Sequence, residues 1–137
     1  MTKSLSLLLL VLVIAIAWYD QRFRRVPNAV NYLLILAGGI LHFPGTAEIW
    51  LGCLVLMIGW RIGGIGGGDA KLWMALLWLA PIDAGSAALI TMCISFALTA
   101  IAQMLLRKLR SEPVMGISSP GAWRSIPYVF WMVYVSF

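Results

Sequence analysis

The chain has little of what a soluble enzyme is built from. Only five of its 137 residues are acidic, and Lys, Arg, Asp and Glu together make up 11% of it, against roughly a quarter of an ordinary soluble domain. So few charges cannot clothe a water-exposed surface. Histidine occurs once, as His42, and cysteine twice, as Cys53 and Cys93, each in or at the end of an apolar run. There is no C-x-x-C pair and no cluster of ligand residues, so neither a metal site nor a cofactor is expected. The two cysteines read as small apolar packing residues. Basic residues outnumber acidic ones, for a net charge of +5. They are dealt out between apolar segments rather than gathered on a polar face, so nucleic acid is not an expected partner.

What the chain has in abundance is hydrocarbon: 62% of its residues are hydrophobic and its mean hydropathy is +0.95. Apolar runs fall at 5–19, 29–42, 49–60, 72–80, 84–106 and 126–137. The expected fold is an all-α integral membrane protein of about six membrane segments, forming a single domain over 1–137 with the lipid bilayer as its surroundings. The run at 84–106 is long enough to cross unaided. The run at 72–80 is short and predicts a helix over about 69–81. Arg22, Arg24, Arg25, Arg61, Lys71, Arg107, Lys108, Arg110 and Arg124 all fall in alternate connections, whereas 43–48 and 81–83 carry no Lys or Arg. By the positive-inside rule those alternate connections are cytoplasmic and the N-terminus lies outside. A competing reading takes Lys3, the first apolar run and Ala15-Ile16-Ala17 as a cleaved signal peptide. The three arginines just beyond that point oppose it. Trp18, Trp60, Trp73 and Trp123 fall near the expected inner interface and Trp50 and Trp78 near the outer one, as in an aromatic belt.

Two acidic residues stand out in this setting. Asp20 ends the first apolar run and opens Asp20-Gln21-Arg22-Phe23-Arg24-Arg25-Val26-Pro27-Asn28. Asp69 ends the run Gly63-Gly64-Ile65-Gly66-Gly67-Gly68-Asp69. Ionisable groups at a membrane edge are costly and are functional candidates. Each also has an ordinary explanation. Asp20 can pair with Arg22 or Arg24, and Asp69 can cap the next helix, as Asn28 can cap its own. The glycine run is not a phosphate loop, because Asp69 and Ala70 precede Lys71 where that motif requires G-K-[ST]. Charge counting nevertheless places both aspartates on one membrane face, each at a junction of loop and helix.

Together these two segments resemble the signature of the type IV prepilin peptidases. Asp20 through Asn28 resembles that family's first motif, an aspartate followed by basic residues and then Ile/Val-Pro-Asn. Gly66-Gly67-Gly68-Asp69-Ala70-Lys71-Leu72 is similar to the second, G-x-G-D-x-K-L, an element shared with preflagellin peptidases and, more distantly, with presenilin-like proteases. Ile126-Pro127-Tyr128 resembles an Ile-Pro-aromatic stretch near the family's end. Ala80-Pro81 departs from the pattern, since many relatives have a glycine-ended segment there. The cytoplasmic domain with cysteine pairs found in larger, N-methylating members has no counterpart here, so the chain resembles the minimal, peptidase-only branch serving Tad/Flp-type pili.

The resemblance implies a membrane aspartic endopeptidase of the bacterial inner membrane, with Asp20 and Asp69 catalytic and no metal or cofactor. Gly66, Gly68, Lys71, Pro27 and Asn28 become supporting or substrate-binding candidates. The implied partner is a prepilin or pseudopilin precursor with a short basic leader, and pilus or type II secretion machinery lies around it. Two paired carboxyls suit amide hydrolysis, one taking a proton from water while the other donates to the carbonyl oxygen. The glycines are expected to let the loop carry Asp69 toward Asp20. The alternatives are a small transporter or channel relaying ions through the two aspartates, and an inactive, peptidase-like assembly subunit.

Overall fold

The computed structural model describes residues 3–23, 27–110 and 121–136. Arg24, Arg25 and Val26 of the first motif and Glu112 lie outside the described residues. Six α-helices follow one another: α1 (Lys3–Phe23), α2 (Asn28–His42), α3 (Ala47–Arg61), α4 (Gly67–Leu79), α5 (Gly85–Leu109) and α6 (Ile126–Val135). Short 3-10 turns at Ile82–Ala84 and Ala122–Ser125 precede the last two. The described residues contain no strand.

The helix ends follow from local chemistry, with three departures from the sequence expectations. Pro27, extended at φ −61° and ψ 121°, is the N-cap of α2, so Asn28 is the first helical residue and its side chain is free for other work. Gly63 takes φ +77°, and the N–H groups of Gly64 and Ile65 turn back to the Gly59 carbonyl at 2.9 and 3.2 Å. This is a helix-ending reversal that needs a residue tolerant of positive φ. The start of the glycine run is therefore a tight stop for α3, in place of the expected loop free to carry Asp69. Gly66 is the N-cap of α4, which begins at Gly67. Asp69 is consequently the third residue of the helix and does not cap it. Pro81 bars further helix and fixes where α4 stops.

Short α4 lies inside the others. Ala70, Leu72, Trp73 and residues 75–80 are all buried, and α2 and α3 are packed along it. A Cβ on Gly38 of α2 would fall 2.7 Å from the Trp78 Cβ and 2.9 Å from its backbone carbon, so these two helices touch backbone to backbone. Gly52 of α3 leaves room for the side-chain tips of Leu77 and Leu89. Small residues are the means by which helices approach closely where lipid offers no hydrophobic drive. Trp73 corrects an expectation. It is fully buried, stacked on Phe96 at 4.4 Å and packed on Tyr128 at 5.5 Å, so it is a core residue rather than part of an interfacial belt. The exposed Trp18, Trp50 and Trp60 suit the belt position.

The perimeter is apolar. Leu8, Val11, Leu33, Ile40, Leu51, Val55, Ile90 and Leu98 are among the large hydrophobic side chains left uncovered. The windows Ser6–Phe23 and Gly85–Leu106 are long and apolar enough to cross a membrane, and only 33% and 17% of them is buried in the protein. A soluble core helix of that composition would be mostly covered. Exposed Cys93 stands on this perimeter and Cys53 is half-buried, both as free thiols, so Cys93 is not the packing residue expected. At about 1.5 Å per residue α4 is only about 20 Å long, short of a bilayer's roughly 30 Å core. It is enclosed by its neighbours rather than spanning alone.

Contacts between helix ends fix their directions. Ser6 donates to Ser136 at 2.8 Å at one end of the α1–α6 pair, and Ala122 meets Asp20 at the other. Asn31 reaches Gly68 at the start of α4, while His42 reaches Trp78 at its finish. Trp60 lies against Gly67, and Glu48 lies near Gly85. Successive helices therefore alternate in direction. The C-terminal ends of α1, α3 and α5 share one end of the bundle with the N-terminal ends of α2, α4 and α6.

Candidate functional site

Both aspartates lie at that shared end. On α1 the buried residues are Ser6, Leu9, Val13, Ile16, Ala17 and Asp20. Their spacing of three and four residues makes one inward stripe, and Asp20 is its last member. Asp20 is only 4% exposed, and its Oδ2 accepts the backbone N–H of Ala122 at 3.1 Å. Arg22, one of the two pairing partners expected for it, places its guanidinium over the Trp18 ring at 5.9 Å.

Asp69 is half-buried in the first turn of α4. Its carboxylate rests against Gly121 and occupies the space that any Cβ there would need. Asp20 thus binds residue 122 and Asp69 abuts residue 121. Adjacent Cα atoms are about 3.8 Å apart, so one short turn brings the two carboxyls together. Burial pushes the Asp69 carboxyl up to about 6, the Asp20 charge adds to that rise, and the Arg124 guanidinium opposes it.

The turn itself is pinned. The Ser125 hydroxyl donates to the Ala122 carbonyl at 2.7 Å, and the Arg124 N–H donates to Gly121 O at 3.0 Å. From α5, Ser95 Oγ donates to the Arg124 carbonyl at 2.6 Å and Gln103 Oε1 accepts Arg124 Nη2 at 2.6 Å. Ala88, Met92, Ser95 and Thr99 form the inward stripe of α5, and Gln103 is its next member by helical spacing.

A second set of contacts holds the Asp69 loop from α2. Buried Asn31 donates from Nδ2 to Gly68 O at 3.1 Å, and its Oδ1 has no partner. Lys71 Nζ reaches Asn28 Oδ1 at 3.2 Å and Tyr32 OH at 3.3 Å and lies over the Tyr32 ring at 5.1 Å. Lys71 therefore ties α4 to α2. Gly66 leaves room for Asp69, whose Oδ2 would be 3.3 Å from a Cβ there. The Pro27 carbonyl accepts the N–H groups of Val30 and Asn31 at 3.2 and 3.4 Å.

All seven residues nominated from the sequence thus lie at one end, Asp20 and Asp69 on the turn and Gly66, Gly68, Lys71, Pro27 and Asn28 around it. Sequence reasoning missed Gly121, Ala122, Arg124, Gln103 and Asn31. Two of these carried a signal: Asn31 and Gln103 are polar residues set in apolar runs. Among the described residues no group of three or more His, Cys, Asp and Glu is arranged to hold a metal ion.

This combination of an apolar helical bundle and two inward aspartates meeting at one end defines a class, the helical membrane proteins with an aspartate pair. A sequence model of the type IV leader peptidase family matches residues 7–104, and the chain belongs to that family. The matched stretch contains both aspartates and the α2 contacts and stops short of the turn at residues 121–125. No curated protein and no solved structure matches the chain.

Proposed function

We propose that the protein is an aspartic endopeptidase of the bacterial inner membrane. It removes the short basic leader from a type IV prepilin-like precursor at the cytoplasmic face. The observation that carries this reading is the meeting of Asp20 and Asp69 on the single turn at Gly121 and Ala122. The six alternating helices support a multi-pass topology, with the aspartate end on the side that carries Arg22, Arg61, Lys71 and Arg124. A substrate helix lying in the bilayer would bring its leader to that end. A transporter reading expects its acids near mid-depth, whereas both aspartates sit at helix ends.

In the proposed mechanism the pair shares one proton. Asp69, whose carboxyl is pushed up by burial, holds it, and Asp20 takes up the proton that water gives. A water between them gives a proton to Asp20 as its oxygen bonds to the scissile carbonyl carbon. Asp69 gives its proton to the carbonyl oxygen. Collapse of the resulting diol returns that proton, breaks the C–N bond and transfers the Asp20 proton to the departing nitrogen. The pair then regains its single proton and the products are a carboxylic acid and an amine. Paired carboxyls with separated titrations are the arrangement this chemistry needs.

Co-expression with a candidate prepilin, read by gel shift and N-terminal sequencing, tests the reading. Asp20→Asn and Asp69→Asn should each abolish cleavage while the protein still inserts. Processing by either variant at the wild-type rate would sink it.

A further inference from the structure

Arg124 is placed unlike the other cations whose contacts are known. Lys71 is bonded to Asn28 and Tyr32, and Arg22 lies over Trp18. Arg124 sits in the turn that joins the aspartates, one residue beyond Trp123 and two beyond the N–H that Asp20 accepts. Its side-chain partner is neutral Gln103 rather than a carboxylate, its Nε is buried with no hydrogen-bond partner, and its backbone is fixed by Ser95. A half-buried guanidinium whose Nε is shut from water gains from nearby negative charge. The turn that carries Arg124 is the one the two carboxyls touch, and Arg124 acts electrostatically on Asp69.

We propose that Arg124 is a positioning residue for the aspartate pair, anchored by Gln103 and Ser95 of α5 so that its fixed charge sets how tightly the shared proton is held. Around Asp69 the charged and titratable groups are Asp20 from α1, Arg124 from the turn, and Lys71 from α4 itself with Tyr32 of α2 as its partner. From α2 comes uncharged Asn31 and from α3 uncharged Trp60, with Arg61 exposed beyond it. Buried Tyr128 of α6 lies against Trp73, one turn farther along α4. Removing the Arg124 charge should make the pair hold its proton to higher pH. Replacing it with lysine keeps the charge while giving up the planar fork that binds Gln103.

The inference deepens the peptidase reading, and its test is independent of turnover. A hydrophobic carbodiimide labels protonated buried carboxyls, and the extent of Asp69 labelling against pH is read by peptide mass spectrometry on the full chain in lipid nanodiscs. Arg124→Gln should move the midpoint upward by on the order of one pH unit, and Arg124→Lys, which keeps the charge but loses the Gln103 anchor, should move it by clearly less. Gln103→Met, which loosens the anchor without removing the charge, should give a smaller shift in the same direction and serves where Arg124→Gln does not insert. An unmoved midpoint in both Arg124→Gln and Gln103→Met would overturn the proposal, and so would an equal shift in Arg124→Lys and Arg124→Gln. Prepilin cleavage is scored separately. A labelling shift in Arg124→Gln together with wild-type protein that cuts no prepilin would sink the peptidase reading and leave the role of Arg124 standing.

Discussion

The two ends of α4 are built on opposite plans. At the Trp78 end the contacts are close and largely apolar. Gly38 brings the α2 backbone against Trp78 and Gly45 lies under the edge of its ring. Trp50 meets that ring edge-on at 5.4 Å, while its own N–H is held by the Pro44 carbonyl at 2.9 Å. His42 Nδ1 donates to the Trp78 carbonyl at 2.7 Å. At the Asp69 end the contacts are polar and come from single atoms on α1, α2, α5 and the turn before α6. One end is a clamp that fixes where α4 lies. The other gathers groups that would repel or desolvate one another anywhere else. A bundle can carry a costly pair of carboxyls at one end because the buried packing along the rest of α4 holds that helix in place.

Predictions that break this comparison begin with Gly121. Gly121→Ala puts a methyl group where the Asp69 carboxylate lies. A displacement of about 1 Å costs on the order of a hundredfold in rate, so prepilin cleavage should fall by about that factor while the thermal midpoint in detergent stays within a few degrees. Gly38→Ala should do the reverse. Overpacking against the Trp78 backbone costs about 1–3 kcal/mol and lowers the thermal midpoint, with cleavage per folded molecule preserved. If both variants lost stability and activity together, the division between the ends would be wrong.

The pH profile sharpens the picture next. A pair that works with one shared proton stops working when that proton leaves. With the Asp69 carboxyl pushed up to about 6, the rate of leader cleavage at saturating substrate should decline on the alkaline side as pH rises through that region. A profile that climbs from pH 5 to 9 would assign the proton elsewhere. Asn31→Leu, which leaves Gly68 O without its donor, should cost about 1–3 kcal/mol of stability together with some cleavage, since it touches the loop rather than the aspartates. The smallest effect is expected of Lys71→Met. Its two bonds are exposed, and surface contacts of that kind contribute about 0–1 kcal/mol, so cleavage should remain within about threefold of wild type.

Much of the candidate site was legible because its two halves are local in sequence. Asp20 with its basic run and Asp69 with its glycines each carry a signature within ten residues, and counting loop charges put them on one face. The apolar runs located all six helices, with boundaries moved by a few residues where Pro27, Gly66 and Pro81 impose them. The turn at residues 121–125 was illegible for a physical reason. Its role lies in a backbone N–H and in a missing Cβ, neither of which has a residue signature, and Pro120-Gly121 before an apolar run reads as an ordinary turn. Trp73 was misread because an aromatic near a charged segment looks interfacial until the helix carrying it proves to be wrapped by protein. Arg124 was counted as one more inward charge, since nothing in its neighbours shows that Gln103, 21 residues away, would hold it.

The bond from Ala122 to Asp20 joins residues 102 positions apart, and this bears on how the protein is made. The first helix enters the membrane carrying one carboxyl, the fourth brings the other, and the turn that seats them is synthesised long afterwards. Until the ribosome has delivered that turn, the two acids have no common seat. A nascent or truncated chain that stops short of residue 121 would thus carry both acids without the backbone N–H and the bare Cα that seat them side by side.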